Sequence, residues 1–242
     1  MSTLDAAVDQ VLEAQCRSDK PLAVMLAGHN GSGKSTLWYC RLAPRLQLPL
    51  INADRMLLSV LPEAGPSGLP AWAVELRDGD RDWMAIGQKG VEAFTVVAMT
   101  RKVPFATETV FSHWQRRADG SVSSKIDKIK EMQREGYFVL LVFVGLAHVD
   151  LSIARVATRV AAGGHGVDEQ KLRHRFPRTQ QAIASAADVA DATLMADNSL
   201  DESRAFTVCR VQIGSNVLYD CRDGPRTPSP ILSWMEVVSP RK

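Results

Sequence analysis

The sequence predicts an α/β fold, with a mainly parallel sheet between two helical layers and a helical hairpin standing over one end as a lid. Three observations lead there. Short apolar runs alternate with longer stretches of helical periodicity. The runs are apolar at consecutive positions, as strands buried on both faces are. The first run ends in a glycine-rich junction with a helix. Composition agrees: 242 residues, 45% hydrophobic and 23% charged, are globular values. With 29 Lys+Arg against 27 Asp+Glu, the charge of +2 argues against a nucleic-acid binder. Four cysteines without a CxxC pair point to neither zinc nor a disulfide framework, and a reducing cytoplasm fits them. The longest apolar run, 137–147, is too short for a bilayer, which needs about 20 residues. The first fifteen residues carry acids where a leader carries a basic head.

Along the chain, Leu4, Ala7, Val8, Val11 and Leu12 have helical spacing over 3–16. PLAVMLAG, 21–28, reads as a buried strand, and a helix follows from Lys34 to about Arg45. Further strands are expected at 48–54, 103–109, 137–146 and 192–198. Segments 205–214 and 217–220 read as edge strands joined by a turn at 214–216. Residues 80–101 read as a helix packing through Trp83, Ile86, Val91, Phe94 and Val97, and 121–135 as an amphipathic helix. Residues 150–162 and 168–190 form a helical hairpin about Gly163 and Gly164, in which Pro177 is expected to kink or break the second helix. The Pro/Gly-rich stretch 61–79 reads as an ordered insertion, with Trp72 as a core or insertion anchor, and 223–242 as a Pro/Ser-rich tail. The expected organisation is one domain over 1–242, with a core at about 20–222 and a lid at about 150–190.

GHNGSGKS, 28–35, fits G-x-x-x-x-G-K-[ST] between a strand and a helix, the context that gives the motif meaning. Gly28, Gly31 and Gly33 let the backbone wrap an anion, and the amides of His29, Asn30, Ser32 and Thr36 complete the cradle. Lys34 reaches β- and γ-phosphates, and Ser35 offers a hydroxyl to Mg²⁺. The expected fold is therefore the three-layer sandwich of the P-loop NTPases, and the expected ligands are ATP and Mg²⁺. Neither an NKxD guanine reader nor an LSGGQ-like signature is present. A small-molecule kinase or an ATP-binding switch remains.

Asp54 ends the second expected strand beside the P-loop strand, where it can take a proton from a substrate hydroxyl. Asn52 is expected either at the substrate or, like Asp54, as the cap of the next helix. Glu108 lies between Thr107 and Thr109 at the third strand end. It is expected to accept bonds from substrate, with Thr109 and Ser112 as further donors, or to act as the acid that orients metal-bound water. Arg155 and Arg159 share a helix face, and Arg173, Arg175 and Arg178 follow across the hairpin. Such forked cations suit charge developing on a transferred phosphoryl group. Asp168 is expected to cap the second helix, His165 to sit in the turn and His113 to line the substrate site.

Taken in order, GHNGSGKST, INAD, TET, RVATRVAAGGHGVDEQKLRHRFPR and ADNS resemble the zeta toxin family of P-loop kinases over roughly residues 20–200. The resemblance implies transfer of the ATP γ-phosphate to the 3′-hydroxyl of the amino sugar in UDP-N-acetylglucosamine, and an antitoxin partner. Some relatives act on other nucleotides such as NAD. It also implies Lys34 and Ser35 at ATP and Mg²⁺, Asp54 as base, Glu108 and Thr109 at the substrate, and Arg159 with one of Arg173, Arg175 or Arg178, Arg175 taken first, as lid arginines. Asn198 falls where the family's loop approaches adenine. The hairpin turn departs from the founding toxins, with glycines and His165 where they carry arginine.

Overall fold

A computed structural model describes residues 3–66, 68–118, 120, 122–164, 166–224 and 226–241. The chain opens with α1 (Leu4–Ser18), capped by Thr3, whose hydroxyl accepts from the amide of Ala6. Strand β1 (Leu22–Gly28) is buried along its whole length. After the glycine-rich turn come α2 (Lys34–Leu37), a π-helical turn at Trp38–Leu42 and α3 (Ala43–Leu46). Strand β2 (Leu50–Ile51) has only two residues, because Asn52 already caps α4 (Ala53–Ser59). Next are α5 (Ala71–Gly79), α6 (Arg81–Thr100) and β3 (Phe105–Thr109). A small hairpin, β4 (Trp114–Arg116) and β5 (Val122–Ser124), leads to α7 (Ile126–Arg134). Then follow β6 (Phe138–Gly145), α8 (Val149–Ala161), α9 (Glu169–Ala187) and β7 (Ala192–Asp197). The antiparallel strands β8 (Thr207–Ile213) and β9 (Asn216–Asp220) and the helix α10 (Ser229–Val238) complete the chain.

The seven-stranded sheet runs β2-β3-β1-β6-β7-β8-β9, parallel through β7 and antiparallel at β8 and β9. Strand alternation divides the core between its faces. Ala23, Met25 and Ala27 of β1 join residues of α6, α7, α9 and α10 on one side. Leu22, Val24 and Leu26 join α1 and the Trp38 turn on the other. Helix–sheet–helix layering follows, and β1 ends between β3 and β6, so the glycine turn opens near the centre of the sheet's C-terminal edge.

Several expectations need correction. The helix expected at 121–135 begins at Ile126, because 122–124 pairs with β4; Ser121 is outside the described residues. The 223–242 tail holds α10, whose Ile231, Trp234, Met235 and Val238 are core residues. Pro228 precedes the helix and Pro230 lies in its first turn, where a missing N–H costs little. Insertion 61–79 contains α5, and its Trp72 is exposed rather than an anchor. Helix α9 runs unbroken past Pro177, whose ring is at the exposed face. The apolar face assigned to α6 is only partly right. Val91 packs on the core and Trp83 is half-buried, but Ile86, Phe94 and Val97 are exposed. Gly87, Thr95, Ala98 and Met99 point inward instead. Helix α4 crosses so close that a Cβ on Gly87 would lie 2.8 Å from the Leu57 side chain.

The buried aspect of α10 makes a direct stability test. Trp234→Ala empties a site of 0% exposure and should cost about 3–5 kcal/mol in urea unfolding. Val237→Ala, on the exposed face, should stay within about 0.5 kcal/mol. Equal, small losses would mean that α10 is not part of the core.

Candidate active site

The site begins at the end of β1. Gly31 and Gly33 have φ of 69° and 90°, values that side chains with a Cβ rarely adopt. They turn the chain so that α2 starts immediately at Lys34. Lys34 is 7% exposed, and its ammonium donates to the carbonyls of Gly28 at 3.1 Å and His29 at 2.9 Å. Glu108 Oε1 lies 3.9 Å away. Burial pushes the Lys34 pKa below its ordinary value, the negative charges of Glu108 and Asp54 oppose that, and Arg159 adds to it. Charges carried by β3, α4 and α8 therefore all act on this one ammonium.

Glu108 is placed by β3, which pairs with β1 so that Leu26 faces Glu108. Both carboxylate oxygens lie 3.2 Å from Ser35 Oγ, and Asn52 Nδ2 donates to Oε2 at 3.0 Å. Asn52 does two things at once, because its Oδ1 accepts from the Arg55 amide at 3.1 Å. Thr109 Oγ1 accepts from the Phe111 amide at 3.1 Å, and buried Phe111 holds φ of 64°, an uncommon conformation for a bulky residue. That turn is tied to α9 by Thr179 Oγ1, which donates to the Val110 carbonyl at 3.1 Å. Contrary to expectation, Asp54 does not end a strand beside β1: β3 lies between β2 and β1, and because Asn52 caps α4, Asp54 is exposed in the first turn of that helix. Ser112 is half-buried beyond β3.

Arg159, near the end of α8, is half-buried, and its Nε and Nη2 are buried without a hydrogen-bond partner. Its stem fixes Gly164, where a Cβ would fall 2.6 Å from Arg159 Cγ. The other hairpin arginines separate. Arg173 pairs with Asp150 and Glu169 at the surface, and Arg178 donates to the Trp114 carbonyl at 2.6 Å. Arg175 is half-buried with no hydrogen-bond or ion-pair partner among the described residues. Asp168 caps α9, accepting from the Lys171 amide at 3.0 Å, as expected. His113 is exposed and shares a hydrogen bond with Ser123 in the β4–β5 hairpin. His165 lies outside the described residues.

Around the cradle, His29 is buried and stacks on Phe176 of α9, with ring centroids 3.8 Å apart and planes 11° apart. Ser152 Oγ of α8 donates to the Asn30 carbonyl at 2.6 Å. Ser32 is buried, with its hydroxyl unpartnered, and Asn198 Nδ2 donates to its carbonyl at 2.9 Å. Thr36 is exposed on α2. Phe176 and Ser152 were not singled out in the sequence, since neither lies in the motif and only the folded hairpin brings them to it. Among the described residues no three His, Cys, Asp or Glu form a metal-binding group. No helix among them is long and apolar enough to cross a membrane.

No protein-family model matches the chain. An uncharacterised protein of Haemophilus influenzae is 27% identical over 154 residues, 64% of this chain and 91% of that one. A chain from the PezAT chromosomal toxin–antitoxin system of Streptococcus pneumoniae has a TM-score of 0.53 at 13% identity, covering 98% of this chain and 88% of that one. The AvrRxo1-ORF1:AvrRxo1-ORF2 structure with sulphate ions gives 0.60 at 12% identity, over 98% of this chain and 72% of that one. The same pair with ATP gives 0.57 at 13%, with the same coverage. At these identities the likeness is one of fold.

Burial, with the charge of Lys34 second, lowers the His29 pKa from 6.5 to about 3. The unfolded chain therefore binds a proton near 6.5 that the native chain refuses until about 3, and stability falls as pH drops through that window. The contribution is at most about 1.4 kcal/mol per pH unit. Urea unfolding at a series of pH values should show a shallower acid loss for His29→Phe than for the parent. Superimposable slopes would mean that His29 is not held neutral.

Proposed function

We propose that the chain is an ATP-dependent phosphotransferase that moves the γ-phosphate to an alcohol of a small nucleotide. A sugar nucleotide such as UDP-N-acetylglucosamine is the first acceptor to consider. The carrying observation is the buried ammonium of Lys34 in a glycine turn, together with the Nε and Nη2 of Arg159, buried without a hydrogen-bond partner and close enough to act on the Lys34 charge. Buried cations without matching anions are costly, and a triphosphate supplies the missing charge. The fold shared with a toxin–antitoxin chain and with a protein solved with ATP supports this reading.

In this reading Gly28–Thr36 wraps the phosphates. Lys34 exchanges the carbonyls of Gly28 and His29 for β- and γ-phosphate oxygens. The residues present suit Mg²⁺. The Ser35 hydroxyl and the Glu108 carboxylate already face each other, and magnesium bound with phosphate needs few protein ligands. When bound there it would neutralise charge on the phosphates. Ser35 would hold it directly and Glu108 through water, so Glu108 reads better as the metal-side acid than as a substrate contact. Asp54 accepts the proton of the attacking hydroxyl as its oxygen bonds to the γ-phosphorus and ADP departs. Arg159 and Arg175 take up the charge on the transferred group. Asn52 keeps Glu108 oriented, and Thr109 and Ser112 flank the acceptor. We further propose that 1–242 is one kinase domain, that it works in the cytoplasm, and that an antitoxin protein is its partner.

Radiolabelled ATP with a panel of nucleotides, UDP-N-acetylglucosamine and NAD among them, tests the reading. Transfer to an alcohol acceptor is expected. Asp54→Asn should slow it by about 10²–10⁴-fold. Arg159→Ala should slow it by about 10³-fold with ATP binding retained. ATP hydrolysis with no phosphorylated acceptor anywhere in the panel would point to a switch instead.

A further inference from the structure

The chain's last helix reaches the glycine cradle through the Asp197–Ser199 turn, which is hydrogen-bonded to α10 on one side and to the cradle on the other. Trp234 of α10 is 0% exposed and donates from Nε1 to Asp197 Oδ1 at 2.8 Å. Asp197, also 0% exposed, accepts from the Ser199 amide and the Ser199 hydroxyl, each at 2.8 Å. Ser199 Oγ in turn accepts from the Ala147 amide at 2.7 Å. Asn198, between them, donates its own amide to the Gly145 carbonyl at 3.1 Å. Its turn is thus anchored to both the β6 end and α10. The side chain then reaches across to donate to the Ser32 carbonyl at 2.9 Å. Fit is close throughout: a Cβ on Gly33 would lie 2.5 Å from Asn198 Nδ2, and one on Gly145 2.5 Å from the Trp234 ring.

A trans peptide points its C=O and N–H in opposite directions. Fixing the Ser32 carbonyl therefore fixes the direction of the Gly33 N–H, one of the amides at the start of α2. We infer that Asn198 is a positioning residue for the phosphate loop, held in register by Asp197 and Trp234, rather than a residue that reads the base. This rests on the nucleotide reading above. It also moves the expected role of Asn198 from adenine to the triphosphate tail. The donor hydrogen on Nδ2 is already directed at Ser32, and Asp197 has its oxygens occupied by three donors.

The two roles separate by ligand. The full chain is titrated with ATP, GTP and inorganic tripolyphosphate, as parent, Asn198→Ala, Trp234→Phe and Lys34→Ala. Asn198→Ala should weaken all three ligands by one common factor of about 3–10, the worth of one hydrogen bond. Its melting temperature should fall by only about 2–4 °C, so the fold is retained. Trp234→Phe keeps an aromatic ring of smaller volume but removes the donor to Asp197, and should shift all three affinities in the same direction. An Asn198→Ala loss for ATP with tripolyphosphate affinity unchanged would overturn the inference in favour of a base contact. Parent-like affinities in Asn198→Ala, with Lys34→Ala impaired, would overturn it while leaving the nucleotide reading in place. A parent that binds none of the three removes both.

Discussion

The site is organised around an ammonium group with almost no water. Lys34 is 7% exposed and leans on two carbonyls of its own loop, with Glu108 3.9 Å off. A buried charge holds its protein neighbours to strict positions, because each oxygen near it offsets part of its desolvation. The Glu108 carboxylate must therefore be held still, and it is. Ser35 and Asn52 bond it from two sides, and β1–β3 pairing fixes its height on the sheet. Asn52 in turn cannot move without releasing the first turn of α4, which carries Asp54. Glu108 on β3 and, through Asn52, the α4 turn that carries Asp54 are thus tied to one lysine.

Opposite Glu108, the supports have a different character. Helix α8 presses on the cradle from above, with Ser152 on the Asn30 carbonyl and Arg155 Cβ 3.1 Å from where a Gly31 Cβ would stand. A side chain at Gly31 would need both an unusual φ and space that α8 occupies. Backbone carbonyls of the loop are taken by Ser152, Asn198 and Lys34, and the Ser32 amide donates to the His29 carbonyl at 3.1 Å.

Much of this was readable beforehand, for reasons that differ by element. The cradle was legible because its chemistry needs glycines and a lysine at fixed spacing, and β1 and β6 because strands buried on both faces carry unmixed apolar runs. The hairpin turn was legible in Gly163, which has φ of 82°, and in Asp168 as cap. The α6 face was misread because two helices compete for it. An apolar stripe shows which residues can be buried, but α4 takes the side at Gly87 and Gly90 and leaves Ile86, Phe94 and Val97 in water. Helix α10 was hidden because Pro and Ser at 225–230 look like a tail, whereas the apolar positions Ile231, Trp234, Met235 and Val238 that follow are a helical stripe. Asn52 looked like either a cap or a site residue, and it is bonded in both directions.

The packing of α9 also bears on how the site changes state. This helix contributes Phe176 to the His29 stack, Thr179 to the Val110 carbonyl and Arg178 to the Trp114 carbonyl. It joins the cradle to the loop after β3. Its further turns bury Ala182, Ile183, Ala186 and Ala187 against the sheet and α10. A swing of the whole hairpin would drag those side chains into water, at about 1.5–3 kcal/mol for each large one. Reorienting Lys34 and Arg159 onto an anion leaves that core intact. In the proposed nucleotide reading, side chains therefore move on a fixed base, and α9 is part of that base.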